Sequence, residues 1–423
     1  RSLRIADLLL DGSRCTNTTL IDGPDACFAS DGDDVSIDYV VYDDSVPQAI
    51  RDIIESDPRY QQAGIAFQTH GTHVAGTIAA NRDGNGTHGV AFGADLTAAK
   101  LFFNSAQMWT DVGGGDYRVV TVGGVGPDGS AFESMYAQMN AQDVRAVNHS
   151  WGLTNEPTDL ATQDQLYAAN AEYLDIFAEG SRSKGMIQVW AAGNNNANAA
   201  TPEAAPIAGI YATLPRLFAD IEQNWLSVVN VRQDSAAGYM LDVSSNRCGY
   251  SANWCLAAPG TDILSTVYGA DSALDAQLLQ DSQGNVLLDV LERVPTYSYD
   301  LMTGTSMAAP HVTGALGLLF ERFPYLDNAQ VRDVLLTTAT DLGAAGVDDV
   351  YGWGLMNLAK AIEGYGSLRV DTNVVMNQKA GGLKVWEGDA WDDWTNDIGG
   401  PGKLTKSGAG WLRLSGDNSF NGA

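Results

Sequence analysis

Residues 304–314 read Gly304-Thr-Ser-Met-Ala-Ala-Pro-His-Val-Thr-Gly314. Ser306 stands on a glycine-hinged turn directly ahead of an apolar run, Met307 to Phe320, that is long enough for a buried helix. The first N–H groups of a helix lack intrahelical partners and lie at the positive end of its dipole. That field favours an alkoxide or an oxyanion, which suits a serine that attacks. The ordinary role of a serine before a helix is an N-cap. Pro310 is expected within the first turn, where its missing N–H costs little.

A second segment raises Ser306 above a cap. It is His70-Gly-Thr-His-Val-Ala-Gly76, continued by Thr77-Ile-Ala-Ala80. Small residues and glycines around His70 allow tight backbone packing and leave an imidazole at a helix start. Imidazole is the side chain best suited to take a serine proton near neutral pH. His70 and Ser306 are far apart in the chain, so only a tertiary fold could join them. A third segment, Val189-Trp-Ala-Ala-Gly-Asn194, is an apolar strand that delivers an asparagine amide. Gly193-Asn-Asn-Asn196 is also plain turn chemistry.

Taken in chain order, these segments resemble the subtilisin-like serine proteases. HGTHVAGTIAA (70–80) is similar to the family's histidine motif, whose first histidine is the base, and GTSMAAPHVTG (304–314) to its nucleophile motif. Asn148-His-Ser-Trp-Gly152, Leu256-Ala-Ala-Pro-Gly260 and Tyr351-Gly-Trp-Gly-Leu-Met-Asn357 match further landmarks of the family. The resemblance implies an α/β fold, a subtilisin-like doubly wound parallel sheet with flanking helices. It also implies a serine endopeptidase that hydrolyses protein or peptide substrates through an acyl-enzyme at Ser306. His70 would be the general base, and Asn194 with the Ser306 backbone N–H would form the oxyanion hole. Ser150, Trp151 and Gly152, with Ala191, Ala192 and Gly193, would wall the substrate cleft. Ser306 is not in a G-x-S-x-G elbow, which argues against an α/β-hydrolase.

The acid of the triad departs from the family pattern. The family places an Asp at the end of an apolar strand, followed by Ser or Thr and then Gly, and no such tripeptide precedes His70. Leu8-Leu-Leu-Asp11-Gly-Ser13 offers Asp11 with the two small residues exchanged. Val40-Val-Tyr-Asp-Asp44-Ser45 offers Asp44, and an Asp upstream of this chain is the third option. Asp11 is the candidate carried forward. The missing motif motivates a second reading, a binding or adhesin-type passenger on a catalytically impaired fold.

Composition agrees with a globular α/β chain. The 423 residues are 45% hydrophobic and 18% charged. Short β-branched runs at 95–102, 143–148, 186–192 and 225–231 read as buried parallel strands. Helices are expected at 70–81, 132–142, 159–185, 307–322, 328–338 and 357–363. No apolar run is long enough to span a membrane as a helix. Arg1 reads as a processed end. A net charge of −28 argues against nucleic-acid binding, because phosphates would be repelled.

Four cysteines pair most simply by locality, Cys15 with Cys27 and Cys248 with Cys255, although four cysteines admit three connectivities. Neither pair has zinc-site spacing, and their even number favours an oxidising compartment outside the cytoplasm. No cofactor is required by the resemblance. A stabilising Ca²⁺ is admitted by the loops Asn81 to His88 and Asp31 to Asp34, whose oxygens suit that ion.

From Gly364 onward the helical signals stop and Gly, Asn, Asp and Trp rise. The expected organisation is a peptidase domain at 1–365, followed at 366–423 by a linker and the first coil of a β-helical stalk. Residues 402–422 alternate polar and apolar residues around glycine turns, which suits a β-solenoid coil. The Trp-acidic stretch 385–394 is expected to cover a domain seam. The pattern also resembles the stalks of bacterial autotransporter passengers. That likeness implies an extracellular or cell-surface location and a downstream barrel outside this chain.

Overall fold

The computed structural model of the chain describes residues 5–6, 37–42, 46–56, 65–99, 105–123, 129–153, 157, 159–195, 199–235, 238–269, 273–280, 286–294, 296–381 and 390–422. Its strands begin with β1 (Ile5–Ala6), β2 (Ile37–Tyr42), β3 (Ile65–Phe67), β4 (Leu96–Thr97), β5 (Ser105–Asp111) and β6 (Tyr117–Gly123). Next come β7 (Ala146–His149), β8 (Ile187–Ala191), β9 (Trp225–Asp234), β10 (Gly238–Leu241), β11 (Cys255–Pro259) and β12 (Ile263–Tyr268). The last are β13 (Ala273–Gln280), β14 (Val286–Val294), β15 (Tyr297–Met302), β16 (Thr372–Val375), β17 (Trp391–Trp394), β18 (Leu404–Ser407) and β19 (Trp411–Leu414). The helices are α1 (Gln48–Ser56), α2 (His70–Ala79), α3 (Gly129–Ala141), α4 (Leu160–Lys184), α5 (Thr305–Arg322), α6 (Asn328–Thr337) and α7 (Leu358–Ala361).

Two compact units are present. The first comprises Arg1–His73, Asp95–Gln142 and Thr266–Asp300. It contains a four-stranded sheet in the order β3-β2-β5-β6, with β2 and β5 parallel. Strands β13 and β14 form an antiparallel hairpin. A short parallel pair aligns Ile5 of β1 with Leu96 of β4.

The second unit comprises Val74–Ala94, Asp143–Ser265 and Leu301–Ala423. Its sheet is built from β7, β8, β9 and β11, all parallel, with β10 folding back antiparallel on the end of β9. Side chains alternate across a strand, yet both faces of this sheet are buried. Ile187, Val189, Leu226, Val228, Leu256 and Ala258 pack with Val312, Leu316 and Leu319 of α5 and Val331 and Leu335 of α6. On the other side Trp190 meets Phe177 of α4, their ring centroids 6.0 Å apart, and stacks near Trp225 at 6.1 Å. Helices on both faces explain why these strands read as continuous apolar runs. Each such aliphatic side chain, fully buried, stabilises the fold by about 1.5–3 kcal/mol.

Helix ends follow local chemistry. Asp159 caps α4 by accepting from Thr162 N at 3.0 Å, and Gly185 ends it in the left-handed region at φ 66°. Helix α6 opens with a capping box between Asp327 and Gln330. Gly314 of α5 lies where a Cβ would meet Val90 Cβ at 2.7 Å and the Ile78 carbonyl at 3.3 Å. Glycine there lets α5 approach the end of α2 closely.

The C-terminal strands pair in parallel, Thr372 opposite Leu404 and Trp391 opposite Trp411, so the chain runs twice over one course. Leu368, Val374, Met376, Trp394 and Ile398 belong to the same apolar cluster as α5. Arg322, in the last turn of α5, donates to both carboxylate oxygens of buried Asp392 at 2.7 and 2.6 Å. Tyr325 also donates to Asp392, and Trp394 Nε1 donates to the Tyr325 oxygen at 3.0 Å. Residues on both sides of position 365 thus share one apolar cluster, with Trp394 fully buried in it. Among the described residues no helix is long and apolar enough to cross a membrane.

Candidate active site

The site begins where α5 begins. Gly304 is the N-cap and has no side chain to cap the helix, so Ser306 is the second helical residue and not its cap. A Cβ at Gly304 would lie 3.2 Å from Asn194 Nδ2, which keeps this position bare. Pro310 sits inside the helix, past the first turn expected from sequence. It therefore removes the N–H that would bond the Ser306 carbonyl. The Ser150 hydroxyl replaces that donor, reaching Ser306 O at 2.8 Å. In return the Ser306 hydroxyl donates to Ser150 O at 3.3 Å. Asn148 Nδ2 donates to Ser150 Oγ at 2.9 Å, and Thr313 Oγ1 donates to Asn148 Oδ1 at 3.0 Å. A chain of hydrogen bonds thus runs from helix α5 through the end of β7 and back to α5.

Asn194 follows β8 on an exposed loop. Its Oδ1 accepts from Thr305 N at 2.9 Å and from Thr305 Oγ1 at 3.1 Å. Gly193 N donates to Thr305 Oγ1 at 3.2 Å. With Oδ1 engaged twice, the group Asn194 has left to offer is its Nδ2 amide, beside the start of α5. Buried Asn246 steadies the same loop: its Oδ1 accepts from Asn195 N at 2.8 Å and its N–H donates to Gly193 O at 2.9 Å. Gly193 has φ 108°, and a Cβ there would meet Asn246 Nδ2 at 2.7 Å.

Beside Ser306 and Asn194 lies a cavity of about 250 Å³. Trp151, Gly152, Ala191 and Gly193 line it, as does Leu153, and none of its lining residues is charged. Its floor is aromatic. Trp190 stacks on Tyr211 at 4.8 Å and 14°, and Trp151 lies 5.2 Å from Tyr211. Trp151 is thus among the residues that line the cavity. Two expected cleft residues stand off the wall. Ala192 is fully buried, its N–H donating to Val228 O and its carbonyl accepting from Gly209 N, both at 2.9 Å. Ser150 directs its hydroxyl to α5 instead. Thr305, Asn246, Trp190 and Tyr211 were not singled out from sequence. Thr305 alone carried a signal, as the residue between Gly304 and Ser306.

His70 is the first residue of α2. Its ring reaches solvent, yet enough protein surrounds it that desolvation, and after it the charge of His73, hold its pKa below the ordinary histidine value. His149 is buried at the end of β7, where it donates from Nε2 to Gln188 Oε1 at 2.7 Å and stacks on Trp190 at 4.0 Å. Burial lowers its pKa to about 4, with the Gln188 bond acting weakly the other way.

Cys248 and Cys255 form a disulfide. Cys15 and Cys27, Asp11 and Asp44, and the loop Asp31 to Asp34 lie outside the described residues. In the loop after α2, Asp83 accepts from Asn85 N at 2.9 Å, which is a turn contact. Among the described residues no group of three or more His, Cys, Asp or Glu side chains could hold a metal ion.

The chain is similar to known proteins along most of its length. An extracellular serine protease of Serratia marcescens is 32% identical over 86% of this chain and 36% of its own length. The autotransporter lipoprotein NalP of Neisseria meningitidis is 27% identical over 69% of this chain and 26% of its own. The crystal structure of fervidolysin from Fervidobacterium pennivorans aligns with a TM-score of 0.47 and 27% identity, covering 73% of this chain and 38% of its own. The chain spans well under two thirds of the length of each of these relatives. The sequence profile of the subtilase family matches residues 31–354, most of the chain, and the chain belongs to that family of serine proteases.

Proposed function

We propose that this chain is the peptidase part of a secreted or cell-surface serine endopeptidase that works through an acyl-enzyme at Ser306. The observation that carries the reading is the double engagement of Asn194 Oδ1 by Thr305, which leaves the Asn194 amide to donate beside Ser306. Ser306 Oγ attacks the peptide carbonyl while His70 takes its proton. The oxyanion of the tetrahedral intermediate accepts from Asn194 Nδ2 and the Ser306 backbone N–H. His70 then returns the proton to the leaving amine as the C–N bond breaks, and water releases the acyl group by the same steps in reverse. Because its pKa is held down, His70 is neutral and able to accept a proton at neutral pH. Family members need no organic cofactor.

The uncharged, aromatic-floored cavity receives a substrate side chain, and it favours an apolar one because no counter-charge is present for an ionic group. For the acid that orients His70, Asp11 is favoured by the parallel pairing of Ile5 and Ala6, a few positions before it, with Leu96 and Thr97 of the strand that follows α2. The parallel pairs of the C-terminal segment support its reading as the first turns of a solenoid, of the kind that leads to a barrel in autotransporters.

A fluorophosphonate serine probe tests the reading directly. The folded protein should be labelled at Ser306, and Ser306→Ala should lose both the label and about 10⁶ in kcat. Folded protein that resists the probe would favour a binding passenger instead. Asp11→Asn should lower kcat by about 10⁴ through loss of tautomer and orientation control. Near-normal turnover in that variant would assign the acid elsewhere.

A further inference from the structure

The wall of the cavity from Gly209 to Ala212 is irregular backbone, yet each of its four successive carbonyls accepts from a side chain. Thr213 Oγ1 donates to Gly209 O at 2.9 Å, and Tyr167 OH donates to Ile210 O at 2.9 Å. Trp225 Nε1 donates to Tyr211 O at 3.0 Å, and Trp254 Nε1 donates to Ala212 O at 2.9 Å. All four donors are buried. Backbone turn bonds from Thr213 N to Gly209 O and from Leu214 N to Tyr211 O hold part of the segment, and with these side-chain bonds they fix where Tyr211 and Ala212 stand.

Three of the donors belong to α4, β9 or the wall itself. The fourth, Trp254, stands apart. It lies in a 3₁₀ turn, Gly249–Trp254, closed by the Cys248–Cys255 disulfide. Inside that loop the Ser251 hydroxyl donates to Cys248 O at 2.7 Å. A Cβ at Gly249 would meet Ile207 Cγ2 at 2.7 Å, just upstream of the wall. The disulfide loop is thus packed against the segment whose carbonyl Trp254 holds.

We infer that Trp254, held by the Cys248–Cys255 loop, is a positioning residue that sets the width of the substrate side-chain cavity and therefore the enzyme's side-chain preference. The inference rests on the reading of that cavity as the substrate pocket. Trp254 touches neither Ser306 nor Asn194 in the hydrogen-bond network, so its effect falls on binding of the side chain and leaves the chemical step intact. Loss of the indole N–H frees Ala212 O and lets the wall carrying Tyr211 relax. A relaxed wall fits a large aromatic side chain less well and treats a small one much as before.

The test compares peptide substrates with phenylalanine or alanine before the scissile bond. The enzymes are wild type, Trp254→Phe, and wild type after mild reduction of the disulfide. Each is first titrated with a fluorophosphonate probe. The expected result is wild-type labelling in all three, with the phenylalanine-over-alanine ratio of kcat/KM falling about tenfold in the two altered forms, mostly through KM. A structural role alone would lower the melting temperature without moving that ratio. Labelled enzymes with an unchanged ratio in either altered form that stays folded would overturn the inference. A wild-type enzyme that resists the probe would overturn the reading of Ser306, and this inference with it.

Discussion

Ser150 and Ser306 exchange hydrogen bonds: the Ser150 hydroxyl donates to the Ser306 carbonyl at 2.8 Å, and the Ser306 hydroxyl donates to the Ser150 carbonyl at 3.3 Å. The first bond exists because Pro310 cannot supply the helical donor. The second holds the Ser306 hydroxyl toward the end of β7.

That relationship predicts a coupling between positions 150 and 310. Ser150→Ala should lower stability by about 1 kcal/mol, because it leaves a part-buried carbonyl without its donor. In a Pro310→Ala background the new N–H can bond Ser306 O, and the cost of losing the Ser150 hydroxyl should shrink. Urea unfolding of the four proteins in the cycle measures this. Equal costs in both backgrounds would disprove the account.

Thr305 should matter to turnover through its hold on Asn194 Oδ1. Asn194→Ala removes the proposed oxyanion donor and should cost about 10²–10³ in kcat, the size seen for such a donor in subtilisin. Thr305→Val removes the hydroxyl that anchors Asn194 Oδ1 but leaves the backbone bond. It should cost less, about tenfold in kcat, with KM nearly constant. A Thr305→Ser enzyme that keeps the hydroxyl should recover most of the rate. If Thr305→Val changes KM alone, the anchoring role is wrong.

His149 gives the fold a defined sensitivity to acid. Its pKa falls from the ordinary 6.5 to about 4 in the folded state, so between those values the unfolded chain binds the extra proton. Stability from keeping His149 neutral is therefore complete above pH 6.5 and is lost progressively as pH drops toward 4, by about 3 kcal/mol in all. Guanidinium unfolding at several pH values should show this slope, and His149→Gln should flatten it. An identical slope in the variant would assign the acid sensitivity to other groups.

Arg322 and Asp392 should behave as a buried pair. Asp392→Ala strands the Arg322 guanidinium in the core and should cost about 3–5 kcal/mol. Replacing both by apolar residues of similar size should cost far less. Thermal unfolding compares the two. A mild Asp392→Ala phenotype would mean that solvent reaches the guanidinium.

Much of this was legible in the chain because the signals were local. The helix expected at 70–81 is α2 (His70–Ala79), and that expected at 159–185 is α4 (Leu160–Lys184). Ser306 and Asn194 were readable because Gly304 and Gly193 punctuate the backbone beside them. Pro310 was placed a turn too early, since the helix starts at Thr305. The cavity floor was not legible at all. Tyr211 sits in irregular backbone fixed by Tyr167, Trp225 and Trp254, and no periodicity marks a position held by distant donors.

The core shared by α5 and residues 368–398 bears on how such a protein can be cut. A fragment ending at 365 would bare Leu316, Leu319 and Phe323 on one side and leave the Arg322 guanidinium facing water. Proteolytic trimming or deliberate truncation should therefore leave residues 368–398 in place, because they share the apolar cluster of α5. Ser306 sits at one end of an 18-residue rod, and the other end is moored through Arg322 to Asp392 in the C-terminal segment.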